Sequence, residues 1–210
     1  MTRFPFAFVA TLSALSAGCS ESPSVPKVDI SAAGGYAVAP FRDDAPANAR
    51  PDGDTFPRSF VDRFGNPVDL TKYKGKKKVV LVVLRGMPLS TPNEFCPSCL
   101  AQVGSLLANQ SEFTDRGVEV LVVFPGPAER LGEFLQIAKT RTPGEPEVRF
   151  PVLLDRDCAA CDRLGIRADL AKPSTYVLNT KGEVVYAYVG ETSTDRPSVR
   201  AVLAQLDKAD

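Results

Sequence analysis

The chain predicts an α/β fold, a three-layer α/β/α sandwich whose mixed central sheet carries helices on both faces. Three observations support it. Val79 to Leu84 is a continuous apolar run rich in Val, the pattern of a strand buried on both faces of a parallel sheet, and Val118 to Phe124 reads as a second buried strand. Segments of helical periodicity follow each run, and strand–helix alternation requires parallel strands joined by right-handed crossovers. Finally, Ser174 to Asn179 and Val184 to Val189 flank Thr180-Lys181-Gly182-Glu183, which reads as an antiparallel hairpin at the sheet edge.

Taken in order, Phe56 to Val61 and Val68 to Leu70 are short strand-like pieces joined by the turn signal Gly65-Asn66-Pro67. Tyr73 to Lys78 is a basic, solvated loop before the first long strand. A helix is expected from about Pro97 to Phe113. Ala128 to Thr140 places Leu131, Phe134, Leu135 and Ala138 on one helical face. Arg141 to Glu147 is a loop, Phe150 to Leu154 a strand, and a short helix begins near Cys158. Ser198 to Leu206 closes the chain as a helix with Val199, Val202, Leu203 and Leu206 as its apolar stripe. Asp195-Arg196-Pro197-Ser198 reads as the start of that helix, with no catalytic role.

The 210 residues are 44% hydrophobic, with 25 basic and 25 acidic side chains and no histidine. A net charge of zero offers no electrostatic case for nucleic acid. Without histidine there is no imidazole catalysis and no Cys/His zinc finger. The composition and motifs call for no cofactor and no resident metal.

The N-terminus reads as a targeting segment. Arg3 precedes an apolar stretch from Phe4 to Leu15, too short to span a bilayer, and Ser16-Ala17-Gly18-Cys19 follows. The small residues before Cys19 are similar to a bacterial lipobox, although Ser16 stands where Leu is usual. Residues 1–18 are thus expected to be a lipoprotein-type signal peptide with Cys19 lipidated; the alternative is a plain secretory signal with Cys19 incidental. Either exports the protein to a compartment where disulfides persist, on the periplasmic side of a bacterial membrane, anchored or soluble. Residues 19–52, rich in Pro, Ala and Ser, read as a flexible tether, and residues 53–210 as the folded domain.

With Cys19 set aside, four cysteines remain in two Cys-x-x-Cys pairs, Cys96/Cys99 and Cys158/Cys161. The first lies between a buried strand and the start of a helix, where the helix dipole favours thiolate. Pro97 suits the first helical turn. Glu94 works against the thiolate, and Arg85 and Lys172 are the candidate cations to offset it. The second pair follows Asp155-Arg156-Asp157, whose carboxylates suit a helix N-cap. It is open to three readings: a second redox disulfide, a structural pair, or half of a Cys₄ zinc site shared with the first.

Gly53-Asp54-Thr55-Phe56-Pro57, the strand leading to Phe95-Cys96-Pro97-Ser98-Cys99, Gly117-Val118-Glu119-Val120 and Lys172-Pro173-Ser174-Thr175-Tyr176-Val177 together resemble the thioredoxin-like superfamily. The nearest branch is the alkyl hydroperoxide reductase/thiol-specific antioxidant family, the peroxiredoxin-like redoxins. The resemblance covers Gly53 to Leu206. It implies a thioredoxin-like fold, Cys96 as the attacking thiol, and Pro173 as a cis-proline facing the dithiol. Cys99 then resolves the product of attack, and an external thiol reductant resets the pair. The substrate implied is a hydroperoxide or a protein disulfide.

Two departures bear on that choice. Where the family places Thr three residues before the attacking Cys, this chain has Asn93, which tilts the expectation from peroxide toward disulfide exchange. Where thioredoxins have Trp before the first Cys, Phe95 stands here, and simple packing accounts for it equally well. The alternative function is a non-catalytic thioredoxin-fold module with structural disulfides or zinc.

Overall fold

The computed structural model describes residues 41–87 and 95–209. Cys19 and the expected signal segment, together with Asn93 and Glu94, lie outside the described residues.

Seven strands form one mixed sheet in the order β2-β1-β5-β4-β3-β6-β7. They are β1 (Ser59–Asp62), β2 (Pro67–Asp69), β3 (Lys78–Val83), β4 (Val118–Pro125), β5 (Val152–Asp155), β6 (Ser174–Leu178) and β7 (Val184–Val189). The three central strands β3, β4 and β5 are parallel, with Val80 opposite Val120 and Val122 opposite Val152. Antiparallel hairpins complete both edges: β1–β2 against β5, and β6–β7 against β3. This is the thioredoxin-like α/β sandwich expected from the sequence.

Alternation along each strand divides the interior into two cores. Val80 and Val82, with Val120, Val122 and Phe124, face one side, beneath α1 (Pro97–Ala108), α3 (Leu131–Thr140) and α5 (Val199–Leu206). Val79, Leu81 and Val83, with Leu121 and Val123, face the other, beneath α4 (Ala159–Arg163), the 3₁₀ turn Leu70–Tyr73 and Phe56. Each residue of a continuous apolar run therefore has a core to enter. That is why Val79 to Leu84 and Val120 to Phe124 show no polar alternation.

Two boundaries differ from expectation. The long helix stops at Ala108, and α2 (Gln110–Asp115) starts anew. Asn109 makes the break: its backbone sits at φ −115°, ψ 16°, and its side-chain amide donates to the Ser105 carbonyl at 2.9 Å, satisfying an end group of α1. The tether also ends earlier than Asp52. Asn48 donates through its backbone N–H to Ala187 O and through its amide to Val189 O. Ala45 is buried, and its carbonyl accepts from the Tyr186 hydroxyl at 2.9 Å. Residues 42–49 are thus part of the domain, because β7 is an edge strand whose free backbone groups they satisfy.

Candidate active site

Cys96 is the N-cap of α1 and Pro97 its first residue. The Cys96 carbonyl accepts from the N–H groups of Cys99 (3.0 Å) and Leu100 (3.1 Å), which closes the first turn. Proline fits here because its missing N–H is one the helix leaves unpaired. The spacing puts Cys99 one turn below Cys96, and Gln102 a further turn along the same side. All three are buried: Cys96 is 5% exposed, Cys99 1% and Gln102 6%.

The cation at this dithiol is Arg196. Its Nη2 lies 3.2 Å from Cys99 Sγ and 3.9 Å from Cys96 Sγ. Nη1 donates to Gln102 Oε1, and Nε donates to the Ser193 carbonyl at 3.0 Å. The guanidinium is 1% exposed, so a buried charge needs an anionic partner nearby, and the thiol pair supplies it. A second donor comes from the backbone N–H of Arg85, which faces the Cys99 sulfur. Gly86, at φ +82°, allows the turn after β3 that presents it; a Cβ there would lie 2.7 Å from the Pro125 carbonyl.

These contacts divide the two thiols. Desolvation by burial works to raise Cys99, but the hydrogen bond from Cys96, the Arg196 charge and the Arg85 N–H outweigh it and bring the thiol down to about 6. Cys96 moves up, chiefly because it is the donor of that hydrogen bond, with burial adding to the effect. The two thiols thus titrate as a pair, with the guanidinium drawing negative charge toward Cys99. The sequence placed the low-pKa thiol at the helix start; the cation moves it one turn inward.

Arg196 is delivered by a braced loop. Asp195 accepts from the Tyr188 hydroxyl at 2.7 Å and from the Glu191 N–H at 3.0 Å. Residues 42–43 cross over the same loop: Arg42 N donates to Arg196 O at 2.7 Å, and Ser198 N donates to Arg42 O at 2.8 Å. Gly190 packs so closely that a Cβ would lie 2.1 Å from the Asp195 carbonyl. Ser198 caps α5 as expected, accepting from Ala201 N at 3.1 Å. The reading of Arg196 as a helix-start residue alone is corrected. It was missed because its own neighbourhood carries only a cap signal.

The other expected residues are placed differently. Arg85 acts through its backbone, and Lys172 pairs with Glu191 at 3.7 Å. The Lys172–Pro173 bond is trans, as are all peptide bonds among the described residues. Pro173 meets the site indirectly, accepting from Gly190 N–H at 2.8 Å and packing its ring against Gly190. Phe95 packs on Phe134 (ring centroids 5.7 Å apart) with the Arg130 guanidinium over its ring as well, so packing explains it.

Cys158 and Cys161 are buried in the second core, across the sheet from Cys96 and Cys99. No three candidate ligands converge among the described residues. The shared Cys₄ zinc site is therefore overturned: two pairs on opposite faces of a sheet cannot bind one tetrahedral ion.

A thioredoxin-like sheet bearing a buried dithiol at a helix start, charged through an arginine, defines a thiol-dependent oxidoreductase. Residues 43–187 match the AhpC/TSA family, and the chain belongs to that family. Among curated proteins it is similar to a 1-Cys peroxiredoxin of Medicago truncatula, with 23% identity over 167 residues covering 75% of this chain and 73% of that protein. Among solved structures it is similar to a cysteine-to-serine mutant of peroxiredoxin 6 of Arenicola marina, with a TM-score of 0.62, 15% identity and coverage of 74% and 71%. It is also similar to the yeast mitochondrial 1-Cys peroxiredoxin, with a TM-score of 0.59, 17% identity and coverage of 79% and 74%.

Proposed function

We propose that the protein is a thiol peroxidase that reduces small hydroperoxides with Cys96 and Cys99. The observation that carries this reading is the burial of both sulfurs, at 5% and 1% exposure, beside the Arg196 charge. A small peroxide can enter such a site, whereas a protein disulfide must bring its own sulfur in line with an exposed one. This reverses the preference for disulfide exchange drawn from Asn93. The peroxiredoxin relatives support the same direction.

The resting pair is Cys96–SH hydrogen-bonded to Cys99–S⁻. The proton passes from Cys96 to Cys99, and the Cys96 thiolate attacks the terminal oxygen of ROOH. The O–O bond breaks, Cys96 becomes a sulfenic acid, and RO⁻ takes the proton from Cys99 to leave as ROH. The Cys99 thiolate then attacks the Cys96 sulfur, forms the Cys96–Cys99 disulfide and expels hydroxide. Arg196 stabilises the negative charge as it moves between the sulfurs. Two electrons from an external thiol reductant reset the pair; the yeast relative is described with the glutathione and thioredoxin systems.

We further propose that the enzyme lies outside the cytoplasm, held to a membrane through a lipid on Cys19. Support for this comes from the N-terminal sequence pattern. Palmitate labelling of the full chain and of Cys19→Ser in a bacterial host tests it; equal labelling of the two defeats the anchor.

The catalytic test compares the reduced protein's rate with hydrogen peroxide against its rate with a protein disulfide. Faster peroxide reduction is expected, with a dimedone-trapped sulfenic acid on Cys96 in Cys99→Ser. A faster rate with the protein disulfide, or no sulfenic acid, rejects the peroxidase.

A further inference from the structure

We infer that Cys158 and Cys161 are a second redox couple, on the opposite face of the sheet, which closes to an internal disulfide by exchange with a small-molecule disulfide. The inference is independent of the peroxidase reading, because the two pairs lie in separate cores.

Four features distinguish this pair from two incidental core cysteines. The first is spacing: Cys158 precedes α4 and Cys161 is its third residue, one turn apart. The second is a base. Asp155, at the end of β5 and only 5% exposed, accepts from Ala160 N and Cys161 N at 3.0 Å each. Its carboxylate also lies close enough to the Cys161 thiol to push it up. A carboxylate so placed can take the thiol proton when Cys161 reacts.

The third feature is a positive environment at Cys158. The Arg167 guanidinium lies within electrostatic reach of this sulfur while bound to Asp162 (2.9 Å) and to the Asp157 carbonyl (3.1 Å). The fourth is Tyr176 on β6. It is 1% exposed, its hydroxyl has no partner within hydrogen-bond distance among the described residues, and it lies within electrostatic reach of Cys161. The neighbouring Ser174 hydroxyl is turned to the Lys172 carbonyl instead, at 3.0 Å. An unpaired buried donor is costly, and a thiolate on Cys161 would give it an acceptor.

Cys158 also sits in the left-handed region at φ 58°, which a non-glycine residue rarely adopts. Arg156, Asp157 and Ala159 around it are exposed. Helix α4 has five residues, too few to hold itself without packing. Local opening of this segment would bring Cys158 to solvent. Burial keeps both thiols protonated at rest, with Cys158 and Cys161 each raised chiefly by desolvation. The couple is consequently slow until a base acts.

The chemistry balances with a disulfide RSSR as oxidant. Cys158 gives its proton to solvent, its thiolate attacks one sulfur, the S–S bond of RSSR breaks, and RS⁻ leaves a Cys158–SR mixed disulfide and takes a proton from solvent. Cys161 gives its proton to Asp155 and attacks the Cys158 sulfur. The Cys158–Cys161 bond forms and the second RS⁻ departs. Two electrons pass from the pair to RSSR, and the two protons end on the released thiols.

The test uses the full chain carrying Cys19→Ser, Cys96→Ser and Cys99→Ser, equilibrated in glutathione buffers from reducing to oxidising, then alkylated and weighed. A single transition is expected in which both thiols vanish together and two hydrogen masses are lost, reversed by dithiothreitol. Peptide mapping of the unsubstituted oxidised chain should show Cys158 joined to Cys161. The inference is overturned if both cysteines remain alkylatable at the oxidising end, or if each ends as a separate glutathione adduct. Asp155→Asn should slow closure by roughly 100-fold, the usual worth of a positioned base. Tyr176→Phe should slow it with little change in thermal stability, since no partner lies within hydrogen-bond distance of its hydroxyl among the described residues. Unchanged closure in both variants removes the base and the donor from the account.

Discussion

Arg196 Nη2 lies 3.2 Å from Cys99 Sγ, although the two residues are 97 positions apart in the chain. This contact joins the loop before α5 to the first turn of α1 and sets the charge of the dithiol.

Arg196→Met should raise the Cys99 thiol from about 6, because the hydrogen bond from Cys96 remains but the charge that adds to it in holding the thiol down is gone. Thiolate absorbance near 240 nm against pH reads the change directly. The rate with hydrogen peroxide at neutral pH should fall by at least about tenfold. Arg196→Lys should not restore it fully, since a single ammonium cannot serve Ser193, Gln102 and the sulfurs as the guanidinium fork does. An unchanged thiolate titration in Arg196→Met would remove Arg196 from the site's electrostatics.

The peroxide rate should rise with pH through about 6 and level off above it, because the reactive pair carries its single negative charge only above the folded Cys99 value. Stability follows the same group. The unfolded thiol ionises near 9, so between 6 and 9 the folded state binds fewer protons at Cys99 than the unfolded state. This contribution grows as pH climbs through that window and is lost as pH falls through 6. Above 9 the raised Cys96 thiol acts in the opposite sense, because the folded state then retains a proton that the unfolded state releases. Urea midpoints across pH, compared with Cys99→Ser, test this; a flat difference rejects it.

Gly190→Ala should shift the loop from Glu191 to Arg196, since the new Cβ would sit 2.1 Å from the Asp195 carbonyl. Backbone cannot yield there as a flexible side chain can. The expected cost is about 1–3 kcal/mol in urea unfolding, together with a raised dithiol pKa as Arg196 moves. A stability loss with an unaltered thiol titration would show that the loop shifts without carrying the guanidinium.

Ser198→Ala should cost about 1 kcal/mol. The hydroxyl accepts from Ala201 N at 3.1 Å and donates to Asp43 Oδ1 at 2.6 Å, so it caps α5 and ties down residues 42–43 together. Asp43 should then titrate higher, because the Ser198 hydrogen bond is the first cause of its lowered value. Ser198→Thr should recover most of the loss; failure to recover it would point to packing.

Local chemistry was legible along the chain. Continuous apolar runs specified β3 and β4, because only a strand with a core on each face hides every residue of such a run. Gly182 in its turn specified the β6–β7 hairpin, and Cys96-Pro97 specified the start of α1, since proline and an N-terminal dipole act over one turn. Where the charge sits, and what brings it there, came from the folded arrangement. Arg196 announces itself as a residue before a helix cap, and nothing within several positions of it points to a thiol. Only closure of the sheet, with β6 and β7 placed beside β3 and the chain returned over α1, sets its guanidinium against Cys99. The same closure separates the two Cys-x-x-Cys pairs, identical in spacing, onto opposite faces. A pattern along the chain records what each residue prefers locally; which distant residue meets it depends on strand order, and no local preference encodes that.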